Sequence, residues 1–326
     1  MGSVDGKAIS QVAIGLGAIA LGSMLLDKRQ STGVQRSSAR RSMTVLPHRE
    51  RSRSPTVTAA RRLNRAAGIL ALSVLADSGV EHYRGSFENK AMFTPLVVSA
   101  LTLGTSIHGT ADRRAVAHVL RDAVYTLAAA TGVIGTGFHF YNVGKKTGGF
   151  SWQNLFYGAP LGAPMAMLLS GLIGYCSERV RETSEGATPT IFDVPAGRAM
   201  AALTSGGLLG TSGEAALLHF RGAFHNPAMM LPVTLPPIGA ALLARAAVSG
   251  PGGKHRLVRW WMRLLAAMGM AGVGFHAYGV ARSMGGWRNW SQNVLNGPPL
   301  PAPPSFLGLA LAAMAALGLM REHPDA

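Results

Sequence analysis

Apolar blocks of about 20 residues, the length that a helix needs to cross roughly 30 Å of hydrocarbon, recur along the chain between short polar stretches. This pattern predicts an all-α integral membrane protein with about nine transmembrane helices. The low charged content, 14% against about 25% in soluble domains, supports the same class. The predicted spans lie near residues 8–26, 66–83, 92–109, 122–143, 155–176, 198–219, 228–247, 263–281 and 304–320.

The first span, within residues 1–27, is predicted to be an N-terminal membrane anchor. It lacks the basic start and the clear cleavage site of a secretory signal, and Lys28 and Arg29 follow it directly. The basic, Ser-rich stretch 28–65 is predicted to be a disordered cytoplasmic linker. Contact with anionic membrane lipid is the expected role of this linker, and docking of a partner is the alternative.

Basic residues alternate between loops in the way that the positive-inside rule describes. Most Lys and Arg fall in the linker and in every second loop after it. This distribution predicts a bacterial inner-membrane protein with a periplasmic N-terminus and a cytoplasmic C-terminus. It also explains the net charge of +16 without nucleic acid, which we do not expect as a partner.

An internal duplication follows the linker. Residues 82–92 return as 219–229, and residues 135–141 return as 272–278, in both cases 137 positions later. Each copy holds four spans, which predicts two tandem, parallel four-helix repeats at 66–176 and 198–320. A cytoplasmic linker at 177–197 joins them, and a short tail at 321–326 follows.

Paired histidines are the main candidates for chemistry. His82 and His139 end outward-running helices of the first repeat, and His219 and His276 do so in the second. We therefore expect four imidazoles at one depth near the periplasmic face, as ligands of haem iron or another metal. The alternative is interfacial histidines that only form hydrogen bonds. Since Cys176 is the one cysteine, a disulfide within the chain and a covalent CxxCH haem are excluded.

Other residues that match between the repeats extend this predicted site. Two acids, five residues before the first His of each repeat, are candidate proton relays because ionisable groups are costly at that depth. Two arginines just past those histidines could bind haem propionates, lipid or a partner's carboxylates. Glycines on the histidine face of the third helix leave room for a macrocycle or, alternatively, serve helix packing. These residues are Asp77 and Glu214, Arg84 and Arg221, and Gly132, Gly135, Gly269 and Gly272.

Three functions fit this pattern. The first is an electron-transfer membrane subunit that binds haem b or another redox cofactor, together with quinone, for an extrinsic periplasmic dehydrogenase, without catalysing a reaction alone. The second is a transporter or divalent-metal permease with a path lined by acids and histidines. The third is a scaffold subunit without a cofactor, whose matched residues only cap and pack helices.

Overall fold

The computed structural model describes residues 54–158, 160–184, 186–249 and 255–323. Eight long helices dominate this part of the chain, and each coincides with one of the predicted spans from 66–83 onward. The first predicted span, 8–26, and the linker up to residue 53 lie outside the described residues. The helices are α1 (Pro55–Arg84), α2 (Thr94–Ala111), α3 (Val119–Gly144), α4 (Trp152–Phe156), α5 (Gly162–Glu182), α6 (Ala196–Arg221), α7 (Leu231–Val248), α8 (Arg256–Arg282), α9 (Trp290–Asn296) and α10 (Pro304–Glu322).

The order of elements in residues 55–182, the first half, recurs in residues 196–322, the second half. Each half has a long helix, a 3₁₀ turn, two further long helices, a short helix and a closing long helix, and the second half has an additional 3₁₀ turn, Gly286–Asn289, before its short helix. The equivalent 3₁₀ turns are Lys90–Phe93 and Pro227–Met230. A two-stranded hairpin, Thr190–Ile191 with Val194–Pro195, joins the halves.

The helices α1 and α10 are central to the core. Helix α1 packs against α2 and α5 of its own half and against α10 of the second half, while α10 also contacts α6 and α8. Small residues allow these close contacts; Ala60, Ala66 and Ala67 of α1 and Ala312 of α10 are fully buried. Such packing through small side chains is typical of helices that associate in a membrane.

Among the described residues, five helices are long and apolar enough to span a membrane: α2 and α7, each with its 3₁₀ turn, and α3, α8 and α10. In the most apolar 18-residue stretch of each of α2, α3, α7 and α8, only 17–22% of the residues are buried within the protein. Leu101, Ile107, Val133 and Met270 of these helices are at least half exposed. Because such a surface is too large and too apolar for water, the fold is that of an all-α protein with a membrane-facing outer layer.

Four boundaries differ clearly from the sequence prediction. The helix α5 begins at Gly162 rather than at 155, and α8 begins at Arg256 rather than at 263. The helix α1 begins at Pro55 rather than at 66, because its Arg-rich first turns also present a buried face that includes Leu63 and Asn64. The helix α5 continues to Glu182, so residues 177–182, predicted to be part of a cytoplasmic linker, are helical. Their side chains Glu178 and Arg181 are fully buried.

Candidate functional site

The four predicted histidines lie at the same end of the helices, which we call the histidine end. The first of each pair is held by the loop that follows its own helix. His82 Nδ1 lies 2.6 Å from the carbonyl oxygen of Met92, and His219 Nδ1 lies 2.9 Å from that of Met229. Because a carbonyl oxygen can only accept, each Nδ1 carries the proton and donates it.

The second histidine of each pair is held by the segment that leads into the last long helix of its half. His139 Nδ1 donates to the carbonyl oxygen of Pro160 at 2.5 Å, and His276 Nδ1 donates to that of Pro299 at 2.7 Å. In the neutral form of each ring, the remaining nitrogen, Nε2, carries the lone pair. Metal-binding histidines usually have this arrangement, with the other ring N–H donated to a carbonyl.

The paired histidines come from two helices in each half. In the second half, the ring centroids of His219 and His276 are 6.5 Å apart, with an interplanar angle of 72°. In the first half, His82 and His139 lie at the equivalent positions near the C-terminal ends of α1 and α3. The described residues contain no group of three or more His, Cys, Asp or Glu side chains arranged to hold a metal ion. A metal at the histidine end would therefore take two imidazoles per half.

The loops that hold the first histidines have an unusual and shared backbone. Ser86 and Phe87 have φ values of 54° and 48°, and the equivalent Ala223 and Phe224 have 54° and 44°. Non-glycine residues rarely adopt this left-handed region, and each costs about 1 kcal/mol or more. The turn places Phe87 against His82, with ring centroids 6.3 Å apart. Both halves thus use a strained turn to fix an imidazole.

The two predicted acids lie deeper than the histidines. Glu214 of α6 contacts the first turn of α5, where a Cβ placed on Gly162 would lie 3.0 Å from its Cγ. Its Oε1 is buried without a hydrogen-bond partner among the described residues. Asp77 lies at the equivalent position of α1, five residues before His82. Each acid therefore lies about one and a half helical turns from the histidine of its own helix.

The two predicted arginines have protein partners. Arg84 forms an ion pair with Glu81 one turn earlier, and about half of its side chain is exposed. The guanidinium of Arg221 lies over the rings of Phe156 and Tyr157, at 5.2 and 5.8 Å from their centroids. These contacts hold Arg221 by cation–π attraction to the short helix of the other half.

The four predicted glycines serve helix packing. A Cβ on Gly132 would lie 2.4 Å from the main-chain nitrogen of Leu168, and one on Gly269 would lie 2.9 Å from that of Leu307. Gly135 and Gly272 face Pro164 and Pro303 in the same way. The last helix of each half packs against this face, so the four glycines allow a close approach of two helices.

A second polar cluster, not predicted from the sequence, lies at the opposite end of the first half, which we call the arginine end. Glu178 Oε2 accepts hydrogen bonds from Arg121 Nε at 2.9 Å and Nη2 at 2.7 Å. The same guanidinium donates to Asp112 Oδ2 at 2.9 Å. Asp112, Arg121 and Glu178 have side chains at most 4% exposed, so these charges are removed from water and neutralise one another.

The cluster continues into the interior through Asn64 and Tyr125. The Tyr125 hydroxyl donates to Asn64 Oδ1, and Asn64 Nδ2 donates to Ser177 Oγ at 2.8 Å. Two glycines make the space: a Cβ on Gly109 would lie 2.1 Å from Asn64, and one on Gly174 would lie 2.2 Å from the Tyr125 ring. The first half is therefore shaped around this polar cluster.

Two titratable groups of the arginine end lie in the connection between α2 and α3. Burial acts to raise the pKa of Asp112, but hydrogen bonds from the Arg114 main chain and from the Arg121 and Arg114 guanidiniums outweigh it and hold that pKa well below its usual range. Burial and the nearby Arg121 lower the pKa of His118, against the opposing attraction of Asp112. His118 Nε2 donates to Asp112 Oδ2 at 3.1 Å.

The second half is apolar at the equivalent positions. These lie 137 residues later in the first three long helices and 139 later in the last, as the contacts of Gly132 and Gly269 also indicate. Apolar residues replace the polar ones, and alanines replace the two glycines. The replacements are Ala201 for Asn64, Ala246 for Gly109, Val258 for Arg121, Met262 for Tyr125, Ala313 for Gly174, Ala316 for Ser177, Leu317 for Glu178 and Met320 for Arg181.

This comparison within the chain is the signal that could have found the cluster from the sequence. Matched residues between the repeats point to the histidine end, whereas the arginine end differs between them. Comparison of the chain with protein-family models, curated proteins and solved structures gives no match. Function is therefore argued from the two ends of the fold alone.

Proposed function

We propose that the two halves are tandem copies of one four-helix unit and that all eight long helices cross a bacterial inner membrane. The recurring element order and the shared strained turns support the duplication. From Asn64 to His82, α1 rises about 27 Å, at about 1.5 Å per residue, which is close to the thickness of the hydrocarbon core. The distribution of Lys and Arg supports placing the histidine end on the periplasmic side.

Within this topology, the histidine end binds a metal between the paired imidazoles, with haem b iron as the first form to test. The observation that carries this proposal is the shared hydrogen bond of Nδ1 to a main-chain carbonyl, which in the neutral imidazole directs the lone pair to Nε2. Two imidazoles on opposite sides of one metal, with metal–nitrogen bonds of about 2.0 Å, have ring centroids about 6 Å apart. The 6.5 Å between His219 and His276 suits that arrangement.

The corresponding function is electron transfer across the periplasmic boundary, as a membrane subunit of an extrinsic dehydrogenase. A haem at this position would supply one-electron chemistry. This chain would hold its iron with the histidine pairs, while Asp77 and Glu214 would exchange protons with a quinone. Trp152, Tyr157 and Trp290 are 64–75% exposed at the same end and offer an aromatic surface for the quinone or the partner.

The test is the visible absorbance spectrum of the detergent-purified protein, oxidised and reduced with dithionite. We expect a Soret band and a reduced α band that are lost in His139→Ala with His276→Ala. The control is His225→Ala, because His225 is exposed at the same end and belongs to no pair. A wild-type protein that remains colourless after expression with haem precursors would refute haem binding.

A second function, transport of a divalent transition metal, is favoured by one observation. The Glu214 carboxyl group of the second half lies against Gly162 of the first half, and its Oε1 is buried without a hydrogen-bond partner among the described residues. A cation held there would have acidic and imidazole ligands along one route. Uptake of Mn²⁺ or Zn²⁺ into proteoliposomes, lost in Glu214→Gln and retained in His225→Ala, would favour transport over electron transfer.

A further inference from the structure

The connection between α2 and α3, residues 112–118, is held on its inward side by buried side chains of the arginine end. Arg181 donates to the carbonyl oxygens of Asp112 and Arg114, each at 3.1 Å. Arg121 donates to that of Val116 at 3.4 Å, and Glu178 accepts from the His118 main-chain N–H at 3.3 Å. A connection at the edge of a helical protein is usually mobile, so four such contacts indicate that its shape matters.

The outward face of this connection is purely basic. Its one carboxylate, Asp112, has a side chain only 4% exposed and turns inward to Arg121. Arg114 is 66% exposed, and Arg113 is exposed beside it. The connection therefore presents two exposed guanidiniums; that of Arg114 is held through Nε by Asp112 Oδ1 at 3.1 Å, which leaves its Nη groups at the surface.

The C-terminal end of α2 does not repel an anion at this position. The last carbonyls of a helix carry partial negative charge, which repels anions. Here Arg61 donates to the carbonyl oxygen of Thr110 at 2.7 Å, and Arg181 donates to that of Gly109 at 2.7 Å. Because these two arginines satisfy the carbonyls, Arg113 and Arg114 remain available to a ligand outside the protein.

Apolar side chains adjoin the two arginines. Ile107, Val116 and Leu120 are 59–66% exposed around the same connection. Exposed apolar residues next to a pair of guanidiniums match the boundary between acyl chains and headgroups of a bilayer. The surface thus offers a phosphate ligand and an acyl-chain contact at once.

The sequence of the second half differs at the corresponding positions. Its corresponding connection is rich in glycine, at Gly250, Gly252 and Gly253, and the buried partners are replaced by Val258, Leu317 and Met320. Replacing buried ion pairs by apolar residues is often neutral or stabilising, so the fold itself does not require the charges of the first half. A role in shaping the connection accounts for their presence in one half only.

We propose that the connection 112–118 is a binding site for one anionic phospholipid, whose phosphate is held by Arg113 and Arg114. Arginine suits this ligand because its planar guanidinium forms paired hydrogen bonds to phosphate oxygens. The buried network orders the connection in advance, so binding does not have to supply that ordering. An acidic surface of a cytoplasmic protein is the competing occupant.

The test measures lipid bound to the full chain after purification in neutral detergent, by native mass spectrometry with added phosphatidylglycerol or phosphatidylcholine. We expect one retained phosphatidylglycerol with a preference of roughly tenfold or more, since each arginine near a membrane surface contributes about 1 kcal/mol. Arg113→Gln with Arg114→Gln should abolish the preference. The matched control, Arg256→Gln with Arg259→Gln, removes the same charge from the corresponding end of the second half and should retain it.

An equal loss in both double variants would mean that only bulk charge attracts the lipid, and it would overturn the site. An absence of any preference in the wild type would overturn it as well, and would leave the surface to an acidic protein. A further variant, Arg121→Val with Glu178→Leu and Arg181→Met, keeps both surface arginines but releases the connection. If this variant folds, as judged by its circular dichroism, and still binds with full preference, the role assigned to the buried network is wrong.

Discussion

Replacing Glu178 by leucine, the residue at the equivalent position of the second half, removes one charge from the buried cluster. Water does not reach the charges that remain. Glu178 is fully buried, and its carboxylate accepts from Arg121 at 2.7 and 2.9 Å. Arg181, also fully buried, lies 3.5 Å from its other oxygen. The substitution leaves two buried guanidiniums with too little counter-charge, and breaking such a pair from one side costs about 3–5 kcal/mol.

Cys176 provides the assay. It is the one cysteine of the chain, it is buried, and it lies two residues from Glu178. A thiol-reactive dye therefore labels it only when this region opens, and the labelling rate follows the free energy of opening. A loss of about 3–5 kcal/mol corresponds to labelling faster by a factor of about 10² to 10³ or more, at a factor of ten for each 1.4 kcal/mol. Glu182→Gln, on an exposed part of the same helix, is the control and should change little.

The complete set of second-half residues should reverse this effect. With all charges removed and the cavities refilled, packing resembles that of the second half, and the opening free energy should return to within about 1–2 kcal/mol of the wild type. Wild-type labelling in Glu178→Leu alone would refute a buried, mutually neutralised cluster. The set comprises Asn64→Ala, Gly109→Ala, Asp112→Ser, Arg121→Val, Tyr125→Met, Gly174→Ala, Ser177→Ala, Glu178→Leu and Arg181→Met.

Three further predictions concern packing, capping and pH. Gly132→Ala should destabilise the protein by about 1–3 kcal/mol in thermal unfolding, because its Cβ would meet the main chain of α5; Gly137→Ala has open space, and an equal loss there would contradict this account. Asn89→Ala should cost about 1 kcal/mol, because Asn89 Oδ1 accepts from the Ala91 N–H at the start of a 3₁₀ turn, and unchanged stability would exclude that cap. The folded protein binds a proton at His118 less readily than the unfolded chain does, so the contribution of His118 to the free energy of unfolding is complete above pH 6.5 and is lost on acidification. His118→Gln should therefore flatten the dependence of the melting temperature on pH between about 7 and 5. An unchanged slope would refute this role of His118.

Hydropathy predicts the long helices well because a membrane imposes a minimum apolar length on each of them. It fails at the helix ends. Residues 55–65 and 177–182 are charged enough to resemble loops, yet each is a helical turn with one buried face. A windowed average cannot separate the faces of such a turn, whereas an i, i+4 pattern such as Ala60 with Asn64 could have done so.

The residues that match between the repeats predicted the histidine end of the protein, but they do not include the polar cluster of the arginine end. This matching selected His82, His139, His219 and His276, and the structure gives all four the same hydrogen bond. The glycines matched for a different reason, because close helix packing is needed in both halves. The polar cluster could not be found in this way, since it exists in one half only and its members are far apart in the sequence.

Elemental analysis of the purified, metal-reconstituted protein tests the central claim, that each half binds one metal between two imidazoles. We expect two metal ions or two haems per wild-type chain and one after His139→Ala or His276→Ala. None should remain after both substitutions, while His225→Ala keeps two. A wild-type chain that holds no metal, or a double variant that holds as much as the wild type, would contradict the account.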